Sequence, residues 1–329
     1  MQYHPEQAAR IDVCVDALAS FTSADQCSVE LRNVCPDSKD HFPEETLIYA
    51  KQILKEIHSP ELVDSLETKC RSSRQRRIDE GKDSLGFIGH IDEGDTFLTT
   101  ESYDVCLRAT AAWIECVNIV LNGLCTYSFA LTRPPGHHAT STLPNGFCLF
   151  NFAAAAAVHA STQDKCKKIT IVDWDVHYGQ GTADIIQNYE NIRYVSTHQV
   201  PAFPYCGEQR GIRGQYKNLM TVPIQPESSW HCGFRELFTE KVLPFCSSPD
   251  WKPDLVIVSA GYDALDSDDL ASCSLQAKDY NTMTKMLRQH VGDEVKIMFG
   301  LEGGYQLQPG KAGGNLQDAF IETIKALQL

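Results

Sequence analysis

The feature that most constrains this chain is an alternation in its second half. Short runs that are apolar along their whole length are each followed by a stretch with helical spacing. "KITIVDWDV" (168–176) opens as an apolar, β-branched run and is followed by "TADIIQNYE" (182–190). A strand with one wet face would alternate apolar and polar residues, so an unbroken apolar run predicts a strand covered on both faces. The pattern continues with strands "IRYVSTH" (192–198) and "LMTVPI" (219–224) and the amphipathic helix "SSWHCGFRELFTEKVLPF" (228–245). Then come strand "DLVIVSAG" (254–261), helix "AKDYNTMTKMLRQHVG" (277–292), strand "EVKIMFGLEGG" (294–304) and helix "GNLQDAFIETIKALQ" (314–328). Earlier, "TYSFALTRPPG" (126–136) reads as a strand ending in a turn, and "GFCLFNFAAAAAVHAS" (146–161) runs into an alanine-rich helix. Together these predict a mostly parallel central sheet with helices on both faces, a three-layer α/β/α fold. No repeat or low-complexity linker interrupts the pattern, so residues 1–329 are expected to form one domain.

Composition narrows the function classes. A formal net charge of −14 argues against a general nucleic-acid binder, whose affinity rests on basic residues. The one basic cluster, "RSSRQRR" (71–77), reads as a solvated loop rather than a binding patch. The 13 cysteines are scattered with no CxxC pair, which fits reduced thiols packing as small apolar residues. No apolar run is long enough for a membrane span, and the start "MQYHPEQAARIDV" lacks the pattern of a secretory signal. The expected compartment is therefore cytoplasmic or nuclear.

In a parallel sheet the functional residues gather at the carboxyl ends of the strands. Four ends carry polar residues that a buried strand does not need: "RPPGHH", "IVDWDVHYGQGT", "VSAGYDA" and "LEGGYQ". Alternate residues of an extended segment share a face, so Asp173, Asp175 and His177 could converge. Carboxylates crowded into a low-dielectric site raise one another's pKa, and a divalent cation relieves the repulsion. Asp175 and His177, with Asp263 from the next strand end, form a reasonable Zn²⁺ ligand set that leaves a coordination position open. A second metal would need another carboxylate in line, and the position two past His177 is Gly179. The adjacent histidines His137 and His138 remain open at this point: metal ligands, a proton-handling pair, or surface residues.

The motifs "RPPGHHA", "GFCLFN", "VDWDVHYGQGT", "VSTH", "VSAGYDALDSDDLA" and "LEGGY", in this order and spacing, resemble the zinc-dependent histone deacetylase and acetylpolyamine amidohydrolase family. "HPEQAARI" and "IHSPELVDSL" resemble its weaker N-terminal signatures, and the details lean towards the class II-like branch. The resemblance implies an arginase- and deacetylase-like fold and hydrolysis of acyl-lysine amides, in proteins such as histones, or of small acetylated amines. It matches Asp175, His177 and Asp263 to the zinc ligands, and His137 and His138 to the tandem catalytic histidines. Tyr305, delivered by a flexible Gly303–Gly304 pair, matches the tyrosine that hydrogen-bonds the substrate carbonyl. Asp173 matches the carboxylate behind His137, and Gln180 falls where the partner of His138 is usually Asp or Asn. Gly146, Phe147 and Phe203 match the wall of the acyl-lysine tunnel. Asp95 matches a loop acid that contacts the substrate backbone. Backbone oxygens of Asp173, Asp175, His177 and Thr197, with Ser196, match a structural potassium site.

Several positions depart from the family pattern. Gln180 is uncharged, so an imidazolium at His138 should be stabilised less. Tyr178 replaces a second histidine and should pack, and Phe152 replaces a second asparagine at a repacked helix start. Gln7 stands where an arginine that helps release product is usual, and the N-terminal edge reads as shortened. Leu270 takes the place of a glutamate found in the polyamine-selective branch, which favours acyl-lysine over cationic polyamines. Gln180 and the short edge also motivate a rival reading, a weakly active homologue that only binds acyl-lysine.

Overall fold

The computed structural model describes residues 4–328 apart from 26–28, 36, 39, 93, 309, 311 and 312. The chain opens with helices α1 (Ala9–Asp25), α2 (Glu44–Ile57) and α3 (Pro60–Asp79), a hairpin of β1 (Phe87–His90) and β2 (Phe97–Thr99), and α4 (Ser102–Leu121). From there it alternates: β3 (Tyr127–Ala130), α5 (Phe152–Ser161), β4 (Ile169–Asp173), α6 (Gln180–Ile186), β5 (Ile192–Gln199), β6 (Gly211–Arg213) and β7 (Leu219–Ile224). The remaining elements are α7 (Phe234–Leu237), a π-helical turn over Phe238–Val242, α8 (Leu243–Cys246), β8 (Leu255–Ala260), α9 (Ala277–Val291), β9 (Lys296–Leu301) and α10 (Leu316–Leu327).

The central sheet has seven strands in the order β3-β9-β8-β4-β5-β7-β6, parallel except for the antiparallel edge strand β6. The three layers follow from how each strand divides its side chains. Ile169, Ile171, Leu255, Ile257 and Met298 join the core under α2, α4 and α5. Their neighbours Val172, Val256, Val258, Phe299 and Leu301 join the opposite core, with α1, α9 and α10. Both faces are dry, which is why the runs looked uniformly apolar rather than alternating. The alanine run of α5 is wholly buried, and its small side chains let that helix lie between the sheet and α4.

Two readings of the sequence need correction. "RSSRQRR" is not a loop but the last part of α3. Ser59 caps that helix by accepting from Leu62 N, Pro60 stands at its first position, and Leu62, Val63, Leu66, Cys70 and Ser73 are its buried stripe. Arg74 leans back to pair with Glu101 and Asp104. Strand β4 also stops at Asp173, so Asp175 and His177 lie in the bend beyond it, not on the strand. The described cysteines are all free thiols. Among the described residues no helix is long and apolar enough to cross a membrane.

Candidate active site

Because β3, β4, β8 and β9 run parallel, their carboxyl ends open on one edge of the sheet, and the four polar motifs meet there. Asp175, His177 and Asp263 offer ligand atoms that all lie within 4.8 Å of one another, and all three residues are buried. His177 Nδ1 is 3.2 Å from Asp175 Oδ1 and 3.0 Å from Asp263 Oδ2. The outer oxygens are tied down by backbone: Asp263 Oδ1 accepts from Val176 N at 2.9 Å and Asp175 Oδ2 from Gly303 N at 2.8 Å. Glycine is required at Gly303, because a Cβ there would lie 2.2 Å from Asp263 Oδ2. At Gly179 a Cβ would lie 2.5 Å from Asp173 Oδ2 and 3.0 Å from His137 Nδ1. That position has no room for a further carboxylate.

Asp173 does not join this cluster. It turns instead to His137, whose Nδ1–H donates to Asp173 Oδ2 at 3.0 Å, while the same oxygen accepts from Tyr194 OH at 2.7 Å. The rings of His137 and His138 are 4.0 Å apart. His138 Nδ1–H donates to Gln180 Oε1 at 2.6 Å, and Gln180 Nε2 donates back to the His138 carbonyl at 3.2 Å. The neighbouring charges separate the two histidines. Burial works against a charged His137, but Asp175 and Asp173 outweigh it and carry it up to about 10. Burial, then the charges of His137 and His177, hold His138 well below its ordinary value. One imidazole is thus kept charged and the other neutral, with Nε2 of His138 as the free base.

The turn carrying both histidines is anchored by Glu302, which sequence reading did not single out. Its Oε2 accepts from Gly136 N at 2.6 Å and His137 N at 3.1 Å, and its Oε1 from Ser259 Oγ at 3.0 Å. Asn151 caps α5 through Ala154 N and also donates to Ala139 O and Thr182 Oγ1. Helix α5 therefore starts at Phe152, as the departure from the family pattern suggested. Tyr178 packs against the His198 ring at 4.6 Å.

Tyr305 lies four residues past the end of β9. Its ring packs edge-on against Phe147 at 5.7 Å and under the Arg10 guanidinium at 4.7 Å, and burial holds its phenol well above the ordinary range. The Gly303–Gly304 pair is not a flexible tether. Arg10 donates to the carbonyls of Glu302 and Gly304, and Gly304 sits at φ +114. Arg10 is fully buried and pairs with Glu6, which Arg133 also grips. The arginine whose side chain reaches the Tyr305 segment is Arg10. Asp268 was also missed. It accepts from Tyr305 N at 2.6 Å, and burial, with the charge of Asp263, pushes it up to about 7.

Around this floor, Gly146 (φ +53) fits between His138 and Phe203; a Cβ there would meet both at under 3 Å. Phe203 packs edge-on against His138 at 4.9 Å, and Phe147 holds a strained φ of +69 with its N–H on Thr96 Oγ1. Phe147 and Phe203 therefore stand by Tyr305 and by the histidines respectively. Leu270 is 39% exposed in the turn after β8. Asp95 is exposed, and its carbonyl pairs with His4, whose ring packs on Phe147. Ser196 pairs in register with Asp173, and Thr197 Oγ1 donates to the Asp173 carbonyl at 3.4 Å.

Comparison with known proteins places this geometry. The family model of the histone deacetylase domain matches residues 4–314. The chain belongs to the histone deacetylase family. Histone deacetylase 14, chloroplastic, of Arabidopsis thaliana is 32% identical over 98% of this chain and 73% of its own length. An uncharacterized protein of Synechocystis sp. is 42% identical over 71% of this chain and 73% of its own. Among solved structures, the HD domain of HDA15 superposes with a TM-score of 0.80 at 28% identity, covering 99% of this chain and 82% of that one. Family membership implies a hydrolase acting on acetyl-lysine amides, on a deacetylase fold. Because some deacetylase relatives are named as chloroplastic, the family does not single out cytoplasm or nucleus.

Proposed function

We propose that residues 1–329 form one catalytic domain that removes acetyl or other acyl groups from lysine side chains with one bound Zn²⁺. The observation that carries this reading is the ligand cluster of Asp175, His177 and Asp263 lying beside two histidines whose Nδ1 atoms are held by Asp173 and Gln180. The residues fit a zinc ion. Two buried carboxylates face one imidazole nitrogen, and their outer oxygens are already satisfied by backbone donors. Two negative charges offset one divalent ion, and three protein ligands leave a position for water.

Asp175, His177 and Asp263 would hold the zinc, which when bound would lower the pKa of a water from about 15.7 towards 7 and polarise the scissile carbonyl. His138, neutral and with Nε2 free, takes the proton of the attacking water and returns it to the leaving lysine amine. His137, kept charged by Asp173, stabilises negative charge as the carbonyl becomes tetrahedral. Tyr305 donates its hydroxyl to the same oxygen. Phe147, Phe203 and Gly146 line the passage for the lysine methylenes, and Asp95 and Leu270 contact the substrate outside it. Ser196 and backbone oxygens near Asp173, Asp175, His177 and Thr197 would hold a structural K⁺.

A second reading, hydrolysis of acetylated polyamines or other small amides, is favoured by the net charge of −14, which suits cationic substrates. A non-catalytic reader of acyl-lysine has less support, since Gln180 keeps its hydrogen bond to His138. An acyl-substrate panel on zinc-reconstituted protein separates them. Faster turnover of acetyl-lysine peptide than of N-acetylputrescine and N-acetylspermidine is expected. The reverse order moves the protein to the second reading, and no turnover of either overturns the hydrolase assignment.

A further inference from the structure

The mechanism above leaves one buried carboxylate at the site without a role. Asp268 lies five residues past the ligand Asp263, in the turn that follows β8, and is 5% exposed. Among the described residues, its carboxylate's hydrogen-bond partners are all backbone N–H groups. Its Oδ2 accepts from Tyr305 N at 2.6 Å and from Gln306 N at 3.1 Å, while Oδ1 accepts from Leu270 N at 3.1 Å. A second bond joins the same two segments: Gln306 Nε2 donates to the Ser267 carbonyl at 2.9 Å. Arg10 holds the other end of the tyrosine segment by the Glu302 and Gly304 carbonyls. The chain from Glu302 to Gln306 is therefore pinned at both ends, by a guanidinium on its carbonyls and a carboxyl group on its N–H groups.

We propose that Asp268 is the positioning residue for Tyr305, and that one carboxylate fixes the oxyanion donor and the outer residue Leu270 in a single frame. The proposal rests on Tyr305 being that donor. The physical reason is the backbone around it. The two glycines before Tyr305 are held by Arg10 and Asp175, but the N–H of Tyr305 itself is held by Asp268. Its ring is held by Phe147 and Arg10, contacts that fix the plane of the phenol but not its depth along the passage. The N–H on Asp268 supplies that constraint. Donation to a developing oxyanion needs placement to a fraction of an ångström, and an error of about 1 Å costs on the order of 10²-fold in rate. Leu270 shares the anchor, so a substrate pressing on that residue bears on the same carboxylate that seats the tyrosine.

The test is Asp268→Asn in two backgrounds, wild type and Tyr305→Phe, with acetyl-lysine peptide as substrate. The substitution turns one acceptor oxygen into a donor facing the N–H groups of Tyr305 or Leu270. In the wild-type background kcat should fall about 10–100-fold, the usual cost of removing an outer support. Bound zinc should change by no more than about twofold, since no ligand is touched, and any change in KM through Leu270 should be smaller than the fall in kcat. In the Tyr305→Phe background the same substitution should cost less than about twofold in kcat, because the group it positions is already gone. An equal loss in both backgrounds would mean that Asp268 serves the fold at large, and an unchanged kcat in wild type would also overturn the proposal. Should the asparagine variant not fold, Asp268→Glu keeps the charge, changes the reach, and is read in the same two backgrounds with the same expectations. A Tyr305→Phe variant as active as wild type would overturn the donor assignment itself, whatever Asp268 does.

Discussion

At the floor of the site, residues from the ends of four parallel strands converge: His137, Asp173, Asp175, Asp263 and Glu302 are each 2% exposed or less. Asp95, Tyr205 and Leu270, which we assign to the rim, come from a hairpin and two turns, and Tyr205 is 78% exposed. The floor is over-determined. Each oxygen and nitrogen that faces the reaction is backed by a backbone donor, a second carboxylate or an amide. The rim has few such supports beyond Asp268 under Leu270 and Thr96 behind Phe147. The contrast is between a sheet edge tied down by many bonds and exposed turns held by few, and the two meet at Asp268, which accepts from both Leu270 N and Tyr305 N.

The comparison is broken most severely by removing a ligand. Asp263→Asn should abolish both metal binding and turnover, and metal analysis beside a peptide assay checks that the two are lost together; activity without metal would detach the cluster from the chemistry. Next in size is Tyr305→Phe, which should lower kcat by about 10²–10³-fold, the usual value of one oxyanion donor, while bound zinc stays at the wild-type level.

Gln180→Asp probes the unusual amide behind His138 and should change the maximal rate by less than about tenfold. Its clearer readout is the pH profile. His138 acts as a base only when neutral, and burial holds it well below its ordinary value. A carboxylate beside Nδ1 raises that pKa, so His138 is protonated at higher pH and the acid limb of kcat moves upward. A limb that stays put, or moves down, would mean that another group titrates there. The smallest effect is expected at the rim. Leu270→Glu should move the ratio of N-acetylspermidine to peptide turnover towards the polyamine by about fivefold or less, since an exposed charge pair contributes up to about 1 kcal/mol. A ratio that does not move would mean either that polyamines were already preferred or that Leu270 does not face the substrate.

The same contrast explains how much could be read from sequence. The strands of the second half were visible because parallel strands buried on both faces leave long apolar runs, and β7 begins and ends where its run does. Their order of appearance placed the strand ends, and so Asp175, His177 and Asp263, together. The first half was harder. The hairpin strands have four and three residues, too short for a period to show. In α3 the arginines masked a buried stripe whose spacing of three and four was nevertheless present. Asp173 was legible as part of the site but not as turned away from the metal cluster, because the strand stops at it. Arg10, Glu302 and Asp268 escaped for a common reason. Each works on backbone groups far along the chain, and such partners leave no trace in residue spacing. All three nevertheless lie inside the motifs "HPEQAARI", "LEGGY" and "ALDSDDLA", where a charged residue in an apolar setting is the available signal.

The central claim is that one metal held by Asp175, His177 and Asp263 serves a deacetylation carried out by the residues around it. Titrating metal-free protein with zinc while following hydrolysis of an acetyl-lysine peptide tests it most directly. Activity should rise to a plateau at one zinc per chain, disappear on adding a chelator, and return when zinc is restored. Turnover that is indifferent to metal, or that needs a second equivalent, would contradict the account.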